Sequence, residues 1–458
     1  MRRGGALAVA LGIWIATTLS AGAAMTTEQR LRALEDLVRE QQQEIKQLRG
    51  ELRQQKAIGT ATQQQAERAE EQGKTTEKKV TASLPEWVNK FTPFGDIRIR
   101  QEGFYNQPTP KAKGGSPIVA RNRTRFRWRL GLKYAYSDEL SATIRLASGN
   151  PDDPISTNET LDGSFSRKNV NLDWAYLTVA PGKSFGIRPG LLTVNAGKFP
   201  NPMFRVGELV FDEDLSPEGF NETIQLLEHP IGGLDQVKLH GQQWTFKEVS
   251  NAQDGWMFGG QINPSGHVGD VQLEGGLAQY WWLNSDLVAQ AGNSNSVIKA
   301  SDGQNAVEFS PDGKTITGFD GAFNQTNATF AATIPNAAGP MPLKLFADYV
   351  YNWESPDSRA HGALGGVRLG NPKEQGDWAA SLLYEYLEAN AVIGAFSWSD
   401  FGVGGGTNLQ GPVVALDYQL FKPLTLTARS YFVKYVDAPA DINNRMAVRL
   451  QLDAQLRF

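Results

Sequence analysis

Alternation with a period of two dominates the chain from Phe94 to its end, and the last segment, MAVRLQLDAQLRF, carries it without a break. Met446, Val448, Leu450, Leu452, Ala454, Leu456 and Phe458 fall on one side; Ala447, Arg449, Gln451, Asp453, Gln455 and Arg457 fall on the other. Successive strand side chains point to opposite faces, so this segment predicts a strand with apolar surroundings on one face and water on the other. An edge strand of a soluble sandwich has the same signature. About sixteen such segments can be laid out, within a range of 14 to 18, from Phe94–Tyr105 and Arg123–Tyr134 to Leu424–Val436 and Arg445–Phe458. The sixth and seventh, Thr223–Glu228 and Asp235–Lys247, have the weakest pattern.

The connections alternate in length. Short turns fall at Tyr136–Asp138, Pro264–Gly269, Asn371–Gly376 and Lys422-Pro423, and long polar or Gly-rich loops at Asn106–Asn122, Pro151–Asn169, Phe199–Glu222, Asn284–Asp320 and Ala389–Leu409. Short periplasmic turns and long outer loops are the asymmetry of an outer-membrane barrel. The expected fold is therefore an all-β membrane protein, an antiparallel up-and-down transmembrane β-barrel over 93–458. Its C-terminal strand should pair with the strand that starts at Phe94. A barrel this wide cannot be filled by its own side chains, so a water-filled lumen follows.

Ahead of the barrel the period changes. Leu31, Val38, Ile45 and Leu52 recur every seven residues, and Leu34, Gln41, Leu48 and Gln55 follow each by three, the a/d register of a coiled coil. A short α-helical coiled coil in the periplasm is expected at 25–58 and a polar linker at 59–92; a single amphipathic helix lying on the barrel fits the same heptads. Residues 1–24 have the parts of a secretory signal peptide: Arg2 and Arg3, an apolar run from Ala6 to Leu19, and small residues Ala21-Gly22-Ala23 before the cut.

Composition removes other classes. Hydrophobic residues make up 40% and mean hydropathy is −0.38, while nothing beyond the N terminus approaches the roughly 20 apolar residues of a membrane helix. Cysteine is absent, so an exported chain must be stable without disulfides, which a closed hydrogen-bond ladder can provide. A net charge of −4, with basic residues dispersed among the strands, leaves no nucleic-acid footprint. The histidines are His229, His240, His267 and His361, and neither H-E-x-x-H nor G-x-S-x-G occurs. The expectation is a protein that is not an enzyme, with no cofactor and no metal.

The candidate chemistry is charge. In RTRFRWRLGLK, Arg123, Arg125, Arg127 and Arg129 share one face, and on the preceding strand Asp96, Arg98 and Arg100 alternate with Ile97 and Ile99. An arginine facing lipid at the midplane would cost about 2 to 4 kcal/mol, so these must face the lumen, and Arg145 is expected to add to the same wall. Two readings stay open: the ladder sets ion selectivity, or it keeps the lumen wet while pairing with loop carboxylates. The loop PNPMFRVGELVFDEDLSPEGFNE can supply those carboxylates from Glu208, Asp212, Glu213, Asp214 and Glu218, and its Met203, Phe204, Leu209, Val210 and Phe211 give it reason to pack inward. An acidic constriction loop facing the arginines is expected. A calcium site at Asp212, Glu213 and Asp214 lacks the glycine-turn spacing of a calcium loop. Phe126, Trp128, Tyr349 and Tyr351 fall on the lipid face, which favours charge over sugar stacking in the pore.

The runs FGDIRIRQEG, RNRTRFRWRLGLKY, RLASGNPDDPISTNETLDGSFSRKNVNLDWAYL and GKFPNPMFRVGELVFDEDLSPEGFNETIQ resemble the uncharacterised "putative porin" family of Gram-negative outer membranes. The resemblance implies a secreted precursor, a heptad segment ahead of the barrel and passive diffusion of small solutes, and it brings no substrate. The expected function is an outer-membrane porin for small hydrophilic solutes and ions. A substrate- or anion-selective porin and a structural envelope protein tethering the membrane to peptidoglycan are the alternatives. Expected partners are outer-membrane lipid, the barrel assembly machinery, which would read Phe458 as an assembly signal, other copies in a homo-oligomer (a trimer), and for the tether reading peptidoglycan.

Overall fold

A computed structural model describes residues 87–110, 120–294, 305–402 and 406–458, together with isolated positions between Glu28 and Gly50. The expected signal peptide, coiled coil and most of the linker lie outside the described residues, apart from those isolated positions, which are helical.

The barrel is a closed antiparallel sheet of 16 strands. They are β1 (Phe91–Tyr105), β2 (Arg121–Ser137), β3 (Leu140–Ser148), β4 (Val170–Val179), β5 (Leu192–Lys198), β6 (Glu218–Gln225), β7 (Leu234–Lys247), β8 (Gly255–Val268), β9 (Val271–Leu283), β10 (Asn324–Ala338), β11 (Met341–Asn352), β12 (His361–Leu369), β13 (Trp378–Leu387), β14 (Leu409–Phe421), β15 (Leu424–Tyr435) and β16 (Ala447–Arg457). Among the described residues no helix is long and apolar enough to cross a membrane. Crossing is left to strands whose backbone groups are satisfied by their neighbours.

Closure joins β16 to β1 from Asp96↔Arg457 through Tyr105↔Val448, as the alternation at both ends of the barrel predicts. Beyond the strand end, Phe458 donates its amide to the Gly95 carbonyl at 3.1 Å and accepts from the Gly95 amide at 2.9 Å. A Cβ on Gly95 would meet the Phe458 ring at 2.9 Å and the Arg129 carbonyl at 2.3 Å, so only glycine fits here. Side-chain parity follows the register: Ile97 and Ile99 are exposed on the outside, while Arg98 and Arg100 are buried within.

The sixth strand departs from the sequence reading. It begins at Glu218 and ends at Gln225, earlier than Thr223–Glu228: Gly197 and Gly219 face each other with left-handed φ of 126° and 135°, so β6 pairs with β5 from Lys198↔Glu218 onward, through a start in which Phe220 is the one apolar side chain before Thr223. Glu218 is therefore not part of the expected constriction loop. It is paired with Lys198 at 2.8 Å across that ladder.

A second departure concerns the lumen. The largest cluster of buried apolar side chains lies inside the barrel, where Phe199, Met203, Leu209, Val210 and Phe211 of the 199–217 loop pack against Trp244, Met257, Tyr280 and Trp282 on the β7–β9 wall. Ala391, Val392, Ile393 and Phe396, from the loop between β13 and β14, join the same cluster. The aromatics named above do keep to lipid-side parity, yet Trp244, Tyr280 and Trp282 are inward, held there because apolar loops supply them with dry partners. Two infolded loops thus fill one side of the lumen and leave the charged side open.

Candidate pore constriction

Three adjacent strands build the charged wall. β1 lies between β16 and β2, so Asp96, Arg98, Arg100 and Glu102 have Arg129, Arg127, Arg125 and Arg123 on one side and Arg457, Gln455, Asp453 and Gln451 on the other. Glu102 continues the Asp96, Arg98, Arg100 face by one more step and was not singled out from the sequence. Its carboxylate accepts from Arg123, and from Arg449 Nη2 at 2.5 Å and Gln451 Nε2 at 2.8 Å. Arg100 grips Asp453 through two hydrogen bonds of 2.8 Å. Such bidentate contacts fix geometry as well as charge.

The cavity of about 530 Å³ in front of this wall is lined on one side by Arg98, Arg100, Arg127 and Arg129 and on the other by Glu208, Asp212, Glu213 and Asp214. Arg129 Nη1 donates to Asp214 at 3.1 Å, and Arg127 lies 3.6 Å from Glu213 and 3.7 Å from Asp214. The loop carboxylates therefore touch the ladder directly. Burial alone would raise the Asp214 carboxyl, but the guanidiniums of Arg127, Arg129 and Arg98 outweigh it and hold it below the usual range.

The remaining expected pore residues are engaged elsewhere on the inner face. Arg123 serves Glu102, and Arg125 donates to the Asn158 carbonyl at 3.1 Å, which ties down the 149–169 loop. Arg145 pairs with Asp173 at 2.5 Å and lies 3.3 Å over the Trp174 ring. None of these three is in the cavity wall described above.

Asp400, on the β13–β14 loop, is the main residue the sequence reading did not single out. It accepts from Arg100 Nη1 at 2.8 Å and Arg449 Nη2 at 2.7 Å. Its burial is overcome by Arg100, Arg449 and Arg98, which keep the carboxyl well below its ordinary value. The signal was present: residues AVIGAFSWSDF in this loop are as apolar as those that marked the 199–217 loop for infolding.

Among the described residues, seven arginines and seven carboxylates line the cavity, so selectivity depends on how they are paired instead of on their sum. Arg98 has its nearest carboxylate, Asp453, at 4.0 Å, and the bond recorded for the Arg429 guanidinium goes to the Tyr431 hydroxyl at 3.4 Å. Opposite them, Asp212 is satisfied by backbone amides of Ser399 at 2.7 Å and Asp214 at 2.8 Å.

A strand-closed barrel with a charged, loop-narrowed lumen is the architecture of an outer-membrane channel. The chain belongs to the family described as "Putative porin", whose model matches residues 116–333 and 283–458. No curated protein matches its sequence. Among solved structures, Pseudomonas putida OprB is similar with a TM-score of 0.51 at 10% identity, over 81% of this chain and 96% of that one. Salmonella typhi OmpF in complex with daunomycin gives 0.46 at 8% identity over 80% and 97%, and the trimer form of Vibrio cholerae OmpT gives 0.43 at 11% identity over 80% and 99%. The protein is an outer-membrane porin, and family and fold point to a channel instead of a catalyst.

Proposed function

We propose that small hydrophilic solutes and ions diffuse through this lumen past a constriction formed by Arg98, Arg100, Arg127 and Arg129 on one side and Glu208, Asp212, Glu213 and Asp214 on the other. The observation that carries this reading is the set of contacts from Arg127 and Arg129 to Asp214, which pins the acidic loop across the lumen. The guanidiniums facing the Asp214 carboxylate, which they hold below its usual range, create a transverse field that orients polar solutes and disfavours apolar ones.

Anion preference is the second reading, favoured by Arg98, whose Asp453 partner stands at 4.0 Å, and by Arg429, whose guanidinium bonds the Tyr431 hydroxyl, while Asp212 is capped by amides. Reversal potentials in a salt gradient test it. The double variant Arg98→Ala, Arg429→Ala should move selectivity toward cations; an unchanged reversal potential would sink the anion reading.

The working form we propose is a homo-oligomer, a trimer, assembled by the barrel machinery with Phe458 as its recognition end. The heptads of 25–58 would reach into the periplasm, with peptidoglycan as a partner in the tether reading. Deleting 26–81 separates the roles, since a porin keeps its conductance and a tether loses its envelope phenotype.

A further inference from the structure

The apolar packing between the 199–217 loop and the strands beneath it is not complete. A cavity of about 150 Å³ remains, lined by Phe211 and Leu215 of that loop, Trp244 and Phe246 of β7, Trp282 of β9 and Phe396 of the β13–β14 loop. Its rings are ordered against one another: Trp282 and Phe396 stack with centroids 5.5 Å apart and planes at 16°, and Phe246 stands 5.5 Å from Trp282. An apolar cavity of about this volume takes up a single six-membered ring. Aromatic walls favour a ring over an aliphatic chain, because offset and edge-on ring contacts add to what burial alone supplies.

Two donors at the same cavity ask for a second chemical group. Trp244 is 4% exposed, and its indole N–H has no hydrogen-bond partner among the described residues. A donor buried unpaired is costly, so an acceptor beside it is strongly favoured. Lys198, where β5 ends, also lines the cavity. Its ammonium donates to the Ser216 carbonyl at 3.1 Å and to Glu218 Oε1 at 2.8 Å, which leaves one of its N–H groups without a partner among the described residues. Glu218 lines the cavity too, but its side chain is 57% exposed and its charge is screened by water.

An occupant must therefore combine an aromatic ring with a group that accepts and does not donate. An ionised carboxylate is acceptor-only, and its bond to an ammonium is charge-assisted. A hydroxyl or an amine on the same ring satisfies the donors less well, and an amine also meets the lysine as a like charge.

We propose that this cavity binds an aryl carboxylate, with the ring held among Phe246, Trp282 and Phe396 and the carboxylate taken by Lys198 and the Trp244 N–H. Such a site, at the loop-side rim of the wall, goes beyond passive conduction. The test is isothermal titration of benzoate into the full mature chain in detergent, with empty micelles as the blank and with acetate and benzyl alcohol each supplying half of the ligand. Only preparations that are folded by heat-modifiable gel shift are titrated. Benzoate should give saturable heat, and either half should bind at least about tenfold more weakly. Lys198→Gln should weaken benzoate by about tenfold, the size of one charge-assisted hydrogen bond, and leave benzyl alcohol unchanged. Glu218→Gln should tighten benzoate, a gain that damage to the fold does not produce, and Leu215→Trp, which fills the cavity, should abolish its binding. No saturable heat above the micelle blank, a half-ligand that binds as tightly as benzoate, or benzoate binding that is indifferent to Lys198→Gln and Glu218→Gln would overturn the proposal. Conductance does not enter the readout, so the channel reading stands or falls separately.

Discussion

Asp212 accepts the Ser399 amide at 2.7 Å, and its own amide donates to the Phe396 carbonyl at 2.8 Å. Residues far apart in sequence thus join the 199–217 and 388–408 loops into one body inside the barrel. Burial first, and then the Asp214 carboxylate, push the Asp212 carboxyl well above its usual value. A group raised in this way contributes its stability fully below the ordinary carboxylate range and loses it as pH rises through the raised value. The loop junction should therefore loosen toward alkaline pH, seen as more current flicker in single-channel records. Asp212→Asn keeps an acceptor and removes the titration, so its flicker should be independent of pH.

Asp400 has the opposite sign. Its lowered carboxyl contributes stability above the ordinary carboxylate range, lost only as pH falls through the lowered value. Removing it leaves Arg100 and Arg449 buried without one of their partners, a change worth on the order of 3 kcal/mol in comparable buried pairs. In Asp400→Ala the 388–408 loop should become cleavable by protease at neutral pH while the barrel itself stays resistant. Equal protection in the variant and the wild type would show that the loop is held by its apolar residues alone.

Phe211 is 1% exposed and packs edge-on against Trp244 and Tyr280, with ring centroids at 5.5 and 5.3 Å. Truncation of such a side chain removes about 3 to 5 kcal/mol of packing. The Phe211→Ala channel should conduct more than the wild type because the acidic loop no longer has an anchor on the β7–β9 wall. Conductance at the wild-type level would place the anchor elsewhere.

The two hydrogen bonds between Gly95 and Phe458 complete the seam at the end of the chain. Deleting Phe458 should lower the yield of heat-modifiable, folded barrel, measured by gel shift, without altering the conductance of those molecules that do assemble. A changed conductance would mean that the terminal residue shapes the pore as well as the seam.

The barrel was legible in the sequence because its signal is local. Each strand writes its two faces into alternate residues, and turns and loops mark where direction reverses, so the strand number to within two and the β16–β1 seam follow from the pattern. β6 was misjudged where the pattern stops, since the Gly197–Gly219 pairing depends on two backbones meeting. The arginine ladder was equally readable, as four charges on one strand face have only the lumen to go to. Its partners were not all readable: Glu102 and Asp453 could be placed by parity, but that Asp214 meets Arg129, and that Arg123, Arg125 and Arg145 are taken up by other groups, required the loops to be in position.

By itself, then, the sequence determined a closed amphipathic wall with a charged inner stripe. The tertiary structure decided what stands in front of that stripe, because where an apolar loop packs depends on inward aromatics contributed by strands far away in the chain. Trp244, Tyr280 and Trp282 look like any strand aromatics until Phe211 and Phe396 are laid against them, and only that packing turns a wide barrel into a narrow, charged pore.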